Sequence, residues 1–480
     1  VETTGWEAVI GLEVHLELSL PEKMFCATPA AFGAEPNTHV CPETLGLPGS
    51  LPVVNEDAVK ATVRAGLALG CTIAGRTKFD RKHYTYPDLP KGYQISQYDL
   101  PLCRNGVIRM PREDGSAIEV RVRRVHLEED TGKLIHEEGS DHSLVDLNRA
   151  GVPLVEIVTE PDLRSTLDTV EVLKELKSIL EYLDISDCNM EEGSLRCEPN
   201  VSVRRKGETA LGTKTEIKNL NSFRSVQGAV DHEIRRHIQM LERGETVVQQ
   251  TMLWNEALLI TEPMRSKEGE QDYRYFPDPD IPPLELAPEL IEEIREGLPV
   301  FPRERRRSLV ERGVPDYNAE IITRSRAYAD LFDGCLSTYD EPQKVSNLLI
   351  GPLLEEMNQR SLTPETLTLL PAHAATYVRM LEEGKVGQAS RKKLLQAMLD
   401  TGKAPGKLVD ELGLTAVSDR GAIESLVDEV LSENAAVVEQ IKGGKTTALM
   451  SLVGKTMQKS KGRADARLVQ EILRSKLGVE

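Results

Sequence analysis

Four short stretches of this chain set carboxylates beside cations or amides at every second residue. In "VIGLEVHLEL" (residues 9–18), Glu13, His15 and Glu17 alternate with Leu12, Val14, Leu16 and Leu18. In "RRVHLEEDTGK", His126, Glu128 and Asp130 share one side, with Val125 and Leu127 between and beside them and Glu129 opposite. In "LRCEPNVSVR", Arg196, Glu198, Asn200, Ser202 and Arg204 oppose Leu195, Cys197, Val201 and Val203. In "GTKTEIKNLNSF", Lys214, Glu216 and Lys218 fall together while Ile217 points away. Alternate side chains of an extended strand face opposite ways, so each stretch predicts a strand with one apolar and one charged face. A lone strand of this kind fits an ordinary half-solvated sheet. Four of them, each with acids next to basic groups, fit a polar cavity where oxygen ligands hold Mg²⁺ and cations hold phosphate.

Other nucleotide signals are weak. "KGGKTTAL" ends like a phosphate-binding loop, but Glu439 stands where the earlier glycine is required. "KTMQKSKG" lacks the companion motif of a synthetase and reads as a basic helix end. No dinucleotide fingerprint or protein-kinase motif set occurs. Cys26 and Cys41 are isolated, whereas a structural zinc site wants four ligands in close pairs, so free thiols are expected.

The elements that must position these residues follow from patterning. Up to about Leu286, short alternating strands with Gly/Pro turns dominate. A helix is predicted in "STLDTVEVLKELKSILEYL", with Leu167, Val170, Leu173, Leu176 and Leu180 on one face and Ser165 or Thr166 as its N-cap. The proline-punctuated stretch "DYRYFPDPDIPPLELAPEL" marks a boundary, after which helices of about 10–18 residues follow. A second break falls at "TGKAPGK" (residues 401–407). The fold class expected is therefore α+β: a mostly antiparallel β domain with helices at 1–290, then all-α domains at 291–403 and 404–480.

The 480 residues and 40% hydrophobic content suit about three globular domains, and no apolar run is long enough to cross a membrane. The start of the chain lacks a secretory pattern, and seven scattered cysteines do not form a disulfide framework, so a cytoplasmic setting is expected. A net charge of −18 argues against indiscriminate nucleic-acid binding. Residues 441–480 are the exception, with nine Lys and Arg against three acids. With only 4% aromatics, an RNA partner would be held by shape and backbone contacts rather than by base stacking.

Taken together, "VIGLEVHLEL", "FGAEPNTHVCPETLGLPGSLPVVN", "KFDRKHYTYPDLPKGYQISQYDLP", "HLEEDTGK", "SLVDLNRAGVPLVEIVTEPD", "NMEEGSLRCEPNVSV", "TKTEIKNLNSF" and "DYRYFPDPDIPP" closely resemble the B subunit of the tRNA-dependent amidotransferase, the GatB family. The motifs cover the first 280 or so residues in family order; the remainder resembles the family's helical domain and YqeY-like tail. The resemblance implies a cradle-like catalytic domain that uses Mg²⁺ and ATP to phosphorylate the carboxylate of Glu or Asp misacylated on tRNA(Gln) or tRNA(Asn). Ammonia from a partner amidase, the complex's A subunit, would then displace the phosphate. A small C subunit would hold the pair together.

By the same resemblance, Glu13, His15, Glu128, Glu198 and Glu216 are the catalytic residues, and Glu13, His15, Glu128, Glu129 and Glu198 hold Mg²⁺. Many relatives have Asp where Glu198 stands. Charge and spacing add Arg196, Lys214, Lys218 and Lys82 as contacts to ATP or substrate, and Lys455, Lys459, Lys461 and Arg463 as contacts to tRNA. Some relatives bind zinc through a Cys-x-Cys and a Cys-x-x-Cys pair. Here Thr28 and Thr44 occupy the second positions, so no zinc is expected. Two alternatives are disfavoured. A non-catalytic tRNA-docking subunit would have little use for carboxylate-lined strands, and an E-type relative specific for Glu-tRNA would carry an inserted domain before the helices.

Overall fold

The computed structural model describes residues 5–112, 115–136, 139–264, 273–415, 420–442, 448–460 and 463–478. Two compact units divide the chain, Val1–Pro299 and Val300–Glu480. The first is built on a nine-stranded sheet. Its spatial order is Ile260–Pro263, Gln250–Asn255, Thr215–Lys218, Leu195–Arg205, Trp6–Glu17, Pro153–Thr159, Ala117–Glu129, Cys103–Pro111 and Thr72–Ile73. All pairings are antiparallel except Thr215–Lys218 with Gln250–Asn255, which run parallel. The alternation in Trp6–Glu17 sorts as the sequence predicts: Ile10, Leu12, Val14 and Leu16 are at most 1% exposed.

Helices cover the apolar face. Glu56–Ala68 packs on strands Ala117–Glu129 and Cys103–Pro111, and Phe223–Glu242 packs on Leu195–Arg205 and on Thr166–Tyr182. Each of these three helices begins with a side chain that satisfies free amides of the first turn: Asn55 for Glu56–Ala68, Ser222 for Phe223–Glu242 and Ser165 for Thr166–Tyr182. Ser165, rather than Thr166, is therefore the cap of the predicted helix. Leu167 does not join its buried stripe and is 68% exposed, because it lies in the first turn ahead of the Val170–Leu173–Leu176–Leu180 row. The opposite, polar face of the sheet is approached by a small sheet of Phe276–Pro277, Asp80–His83 and Tyr93–Ser96.

A buried charge fixes the back of strand Thr215–Lys218. Glu233, on helix Phe223–Glu242, accepts from Thr215 Oγ1 (2.6 Å), from Arg236 Nε and Nη2 (both 2.8 Å), and from the Thr261 hydroxyl. Its carboxylate also lies 3.3 Å from His237 Nε2. Burial alone would raise its pKa, but Arg236, His237, Thr215 and Thr261 together hold it well below the usual carboxylate range.

The second unit is helical among its described residues. Pro302, Pro342, Pro371 and Pro405 each open a helix at the first position, where a missing amide costs nothing. Such frequent restarts make the helices shorter than the patterning suggested: Asp316–Thr323 and Pro405–Leu412 have 8 residues each. Its described residues form two hydrophobic clusters. One runs from Leu309 to Leu414 and includes Leu408 and Val409. The other runs from Ile423 to Leu477. No described helix is long and apolar enough to cross a membrane.

The Glu233 network carries a consequence for stability. Glu233→Ala removes the carboxylate that pairs Arg236 and accepts from Thr215 and Thr261, and should cost about 3–5 kcal/mol at pH 7. Because the folded-state pKa is depressed, this contribution exists above the unfolded value of about 4.5 and fades as pH falls below it. Thermal unfolding of both proteins at pH 7 and at pH 4 should show a gap that narrows in acid. An equal gap at both would mean that packing, not charge, is what Glu233 supplies.

Candidate active site

Sheet register assembles the polar face. Glu13 stands directly opposite Glu198, and His15 opposite Arg196. On its other side His15 faces Glu156, which in turn faces His126. Asn200 faces Glu216. Directly opposed side chains in such a ladder have Cβ atoms about 4.5–5.5 Å apart. One row of the sheet therefore reads Arg196, His15, Glu156, His126 across four strands, with Glu13–Glu198 beside it.

Within this patch, one ligand atom each from Glu13, His15 and Glu198 lie within 4.8 Å of one another, and so do one each from His15, Glu128 and Glu156. His15 belongs to both groups. Its Nε2 is 3.6 Å from Glu156 and 3.9 Å from Glu128. His126 is buried behind them, with Nε2 3.2 Å from Glu156 and 3.6 Å from Glu128. Ser96 Oγ donates to Glu128 at 2.8 Å. Lys218 Nζ is 2.7 Å from Glu198 and 3.5 Å from Glu216, and Thr251 Oγ1 donates to Glu216 at 3.1 Å.

The protonation pattern follows from crowding. Burial, reinforced by the charge of Glu156 and also by Glu198 and Glu216, pushes Glu13 up from 4.5 to about 7 despite the opposing charge of His15. Burial disfavours a charged His126, but Glu156 and Glu128 overcome it and raise the imidazole to about 9. The same opposition leaves His15 raised, chiefly through Glu156. Burial would raise Glu156 and Glu128 as well, yet both stay below the ordinary carboxylate range: the charge of His126 dominates for Glu156, and a hydrogen bond from His126 for Glu128. Glu216 is raised by burial and by its hydrogen bond with Glu198, against the charge of Lys218.

The structure thus gathers Glu13, His15, Glu128, Glu198, Glu216 and Lys218. It does not bring Glu129 with them. Its carboxylate is held instead by Lys91 and by the amide of Ile95 (2.9 Å) in strand Tyr93–Ser96. Arg196 is committed to Asp130 at 2.7 Å, next to Glu17 at 3.9 Å. Lys82 is half-buried on the small sheet. Its Nζ lies 5.0 Å from the Tyr273 ring, and burial, the main influence and an opposing one, is outweighed by the charges of Glu128, Tyr275 and Glu156, which raise its pKa. Lys214 is exposed just before its strand.

One member of the patch, and one pairing within it, escape the patterning of the sequence. Glu156 is the lone charge in Pro153–Thr159, an otherwise apolar strand, and that anomaly is its signal. His126 shares the face of Glu128, but only the cross-strand register shows that it pairs with Glu156.

Among the basic tail residues, Lys459 is paired with Glu429 (2.8 Å) and Glu433 (2.6 Å), and Lys455 bonds Asn434. Arg463 Nε donates to Ser460 O at 3.2 Å, and Lys461 lies outside the described residues. The two acids come from helix Arg420–Glu433. Over residues 420–480 ten Lys and Arg meet eight acids, so the tail as folded is far less basic than its last forty residues suggest.

The chain that carries this sheet face of clustered acids, two histidines and a lysine belongs to a known class. Residues 8–292 match the GatB/GatE catalytic domain, and residues 330–477 match the GatB domain. The B subunit of the aspartyl/glutamyl-tRNA(Asn/Gln) amidotransferase from Thermoanaerobacter pseudethanolicus is 50% identical over 473 residues, 98% of this chain and 99% of the relative. The proteins of that name from Moorella thermoacetica and Caldicellulosiruptor saccharolyticus are 48% and 47% identical, each over 98% of this chain and over 100% and 99% of their own lengths. The chain belongs to this amidotransferase B-subunit family, whose members are components of a glutamine-dependent ligase.

Mg²⁺ is the metal the family implies, and the donors fit it. It takes hard oxygen ligands, and Glu13, Glu128, Glu156, Glu198 and Glu216 leave a surplus of carboxylate that Lys218 and His126 only partly offset. An ion held by Glu13 would have to displace its proton. The raised pKa means that the folded chain holds this proton more tightly than the unfolded chain, so without metal the group lowers stability as pH rises from about 4.5 to 7. Mg²⁺ affinity should be about tenfold higher at pH 8 than at pH 6. Saturating Mg²⁺ should correspondingly stabilise the chain by about 1.4 kcal/mol more at pH 8, read as a larger rise in Tm. Equal rises at the two pH values would remove Glu13 from the ligand set.

Proposed function

We propose that this chain is the phosphorylating subunit of a tRNA-dependent amidotransferase. It would act with an amidase (the A subunit) and a small C subunit in cytoplasmic translation, on tRNA(Gln) carrying Glu, tRNA(Asn) carrying Asp, or both. The observation that carries this reading is the convergence of Glu13, His15, Glu128, Glu156 and Glu198 on one sheet face, beside Lys218, in a chain of this family.

A carboxylate is a poor electrophile, so an amide cannot form from it and ammonia without activation. In the first step a carboxylate oxygen of the misacylated residue attacks the γ-phosphorus of ATP, and ADP leaves. In the second, ammonia supplied by the amidase attacks the acyl carbon, inorganic phosphate leaves, and the nitrogen gives up a proton. Glu13, His15 and Glu198, or His15, Glu128 and Glu156, would hold Mg²⁺, which would neutralise phosphate charge. Lys218 and Lys82 bind and orient phosphate or substrate carboxylate; Lys214, exposed before its strand, serves the approach to the patch, and Arg196, paired with Asp130 beside His15, borders it. His126 keeps Glu128 and Glu156 ionised and side by side. Glu216, the carboxylate with a raised pKa beside Lys218, accepts the proton released in the second step. Preorganised charge of this kind accounts for most of the acceleration expected in phosphoryl transfer.

Replacing His15 or Glu13 with Ala should abolish ATP-dependent amidation in the assembled complex and leave its glutaminase activity measurable. Transfer of label from γ-labelled ATP to Glu-tRNA and Asp-tRNA, run in parallel, identifies the substrate. Near-normal amidation by both variants would instead favour a protein that only docks tRNA.

The tail is proposed to bind tRNA through what remains of its basic surface, with Lys455, Lys459, Lys461 and Arg463 touching phosphate. Because Leu408, Val409 and Leu414 belong to the preceding core, the informative truncation removes residues 420–480. The truncated chain in the complex should bind tRNA more weakly and with a shallower salt dependence, the slope falling by about 0.9 for each phosphate no longer neutralised. Turnover should largely recover at saturating aminoacyl-tRNA. An unchanged slope would place tRNA binding elsewhere.

A further inference from the structure

Residues 20–55 form a loop with little regular structure that nevertheless holds its shape through backbone contacts. The Met24 amide donates to Gly151 O at 2.8 Å, and the Val53 and Asn55 amides donate to Phe25 O and Met24 O at 2.9 Å. Lys23, fully buried, ties His39 O (2.6 Å) to Ala150 O (2.7 Å). This folding brings Cys26 and Cys41, 15 residues apart, to a sulfur–sulfur separation of 3.3 Å. Both are half-buried, whereas the other five cysteines, Cys71, Cys103, Cys188, Cys197 and Cys335, are buried.

The two thiols are also unlike each other. Burial would raise both. Hydrogen bonds from the Thr28 hydroxyl and from the amide and hydroxyl of Thr44 outweigh it at Cys41, which falls below the ordinary thiol value, while Cys26 stays above it. Cys41 is thus the thiol that ionises more readily, beside a neighbour that keeps its proton, and the thiolate is the form that reacts. A bridging metal fits less well. Two sulfurs on a tetrahedral zinc with Zn–S bonds of about 2.3 Å stand about 3.8 Å apart, further than these, and the two remaining positions carry threonine hydroxyls.

We propose that Cys26 and Cys41 are a redox site, closing to an intramolecular disulfide when a hydroperoxide is present. The Cys41 thiolate attacks the peroxide O–O bond and becomes a sulfenic acid, with release of water or an alcohol. Cys26 sulfur then attacks the sulfenic sulfur, loses its proton and expels water. Two electrons pass from the sulfurs to the peroxide, and the S–S bond of about 2.05 Å requires an approach of little more than 1 Å. Cys26 also lines a pocket with Thr44, Gly46, Lys91 and Glu129, so closure draws in one wall of the space beside the Lys91–Glu129 pair.

The test exposes the full chain to hydrogen peroxide after chelator treatment, blocks remaining thiols, and maps peptides without reduction. The expected result is a Cys26–Cys41 linked peptide, formed at a rate independent of protein concentration, reversed by dithiothreitol, and absent from Cys26→Ser and Cys41→Ser. In Cys26→Ser, sulfenic acid should accumulate at Cys41. Recovery of both thiols unmodified, sulfinic acid at Cys41 of the unaltered chain without any cross-link, or linkage only between chains would each overturn the proposal.

Discussion

Crowded negative charge is the constraint on which the first unit depends. The register that sets Glu13 against Glu198 and His15 between Glu156 and Arg196 puts five glutamates on one patch of sheet. Like charges opposed on neighbouring strands destabilise a sheet. Three devices relieve the repulsion. Glu13 keeps its proton up to about pH 7; His126 stays an imidazolium between Glu128 and Glu156; and Lys218 bridges Glu198 and Glu216. What remains is a patch whose charge is only partly balanced, and a divalent cation completes it better than any side chain present.

The patch is held in place from behind. Helices lie on the apolar face, and Glu233 reaches from one of them to the strand whose front carries Glu216 and Lys218. Here a buried carboxylate, paired on every side, orients an element rather than performing chemistry. The contrast with Glu13 is instructive: both are buried glutamates, but Arg236 and two hydroxyls keep Glu233 ionised, while acidic neighbours keep Glu13 protonated.

Period-two alternation made four of the site strands legible, because one face of each had to be apolar to bury against helices. It located Glu13, His15, Glu128, Glu198 and Glu216 within those strands. Register is a non-local property, so the pairing of Glu156 with His15 and His126 could not be read from any one segment. The family resemblance, not the alternation, grouped Glu129 with Glu128; alternation sets the two on opposite sides of the strand. The tail shows a parallel limit. Charge counted over its last forty residues ignores Asp428, Glu429 and Glu433, which the folding of helix Arg420–Glu433 brings against Lys459 and Lys476. Linear charge patterning overstates surface charge wherever a helix folds back on its own oppositely charged segment.

Strand Trp6–Glu17 sits at the middle of the large sheet, yet both of its neighbours lie far along the chain, at Pro153–Thr159 and Leu195–Arg205. During synthesis it leaves the ribosome ahead of both and does not have both partners until nearly two hundred further residues have followed. At about 5–20 residues per second that interval is about 10–40 s. For much of it a run of Ile10, Leu12, Val14 and Leu16 stays in water with free backbone amides, the kind of segment that pairs wrongly with another chain. The alternating Glu13, His15 and Glu17 are then its protection: charges inside a hydrophobic strand act as gatekeepers against aggregation. The same polar face thus shields the nascent polypeptide before it becomes part of the charged patch of the folded sheet.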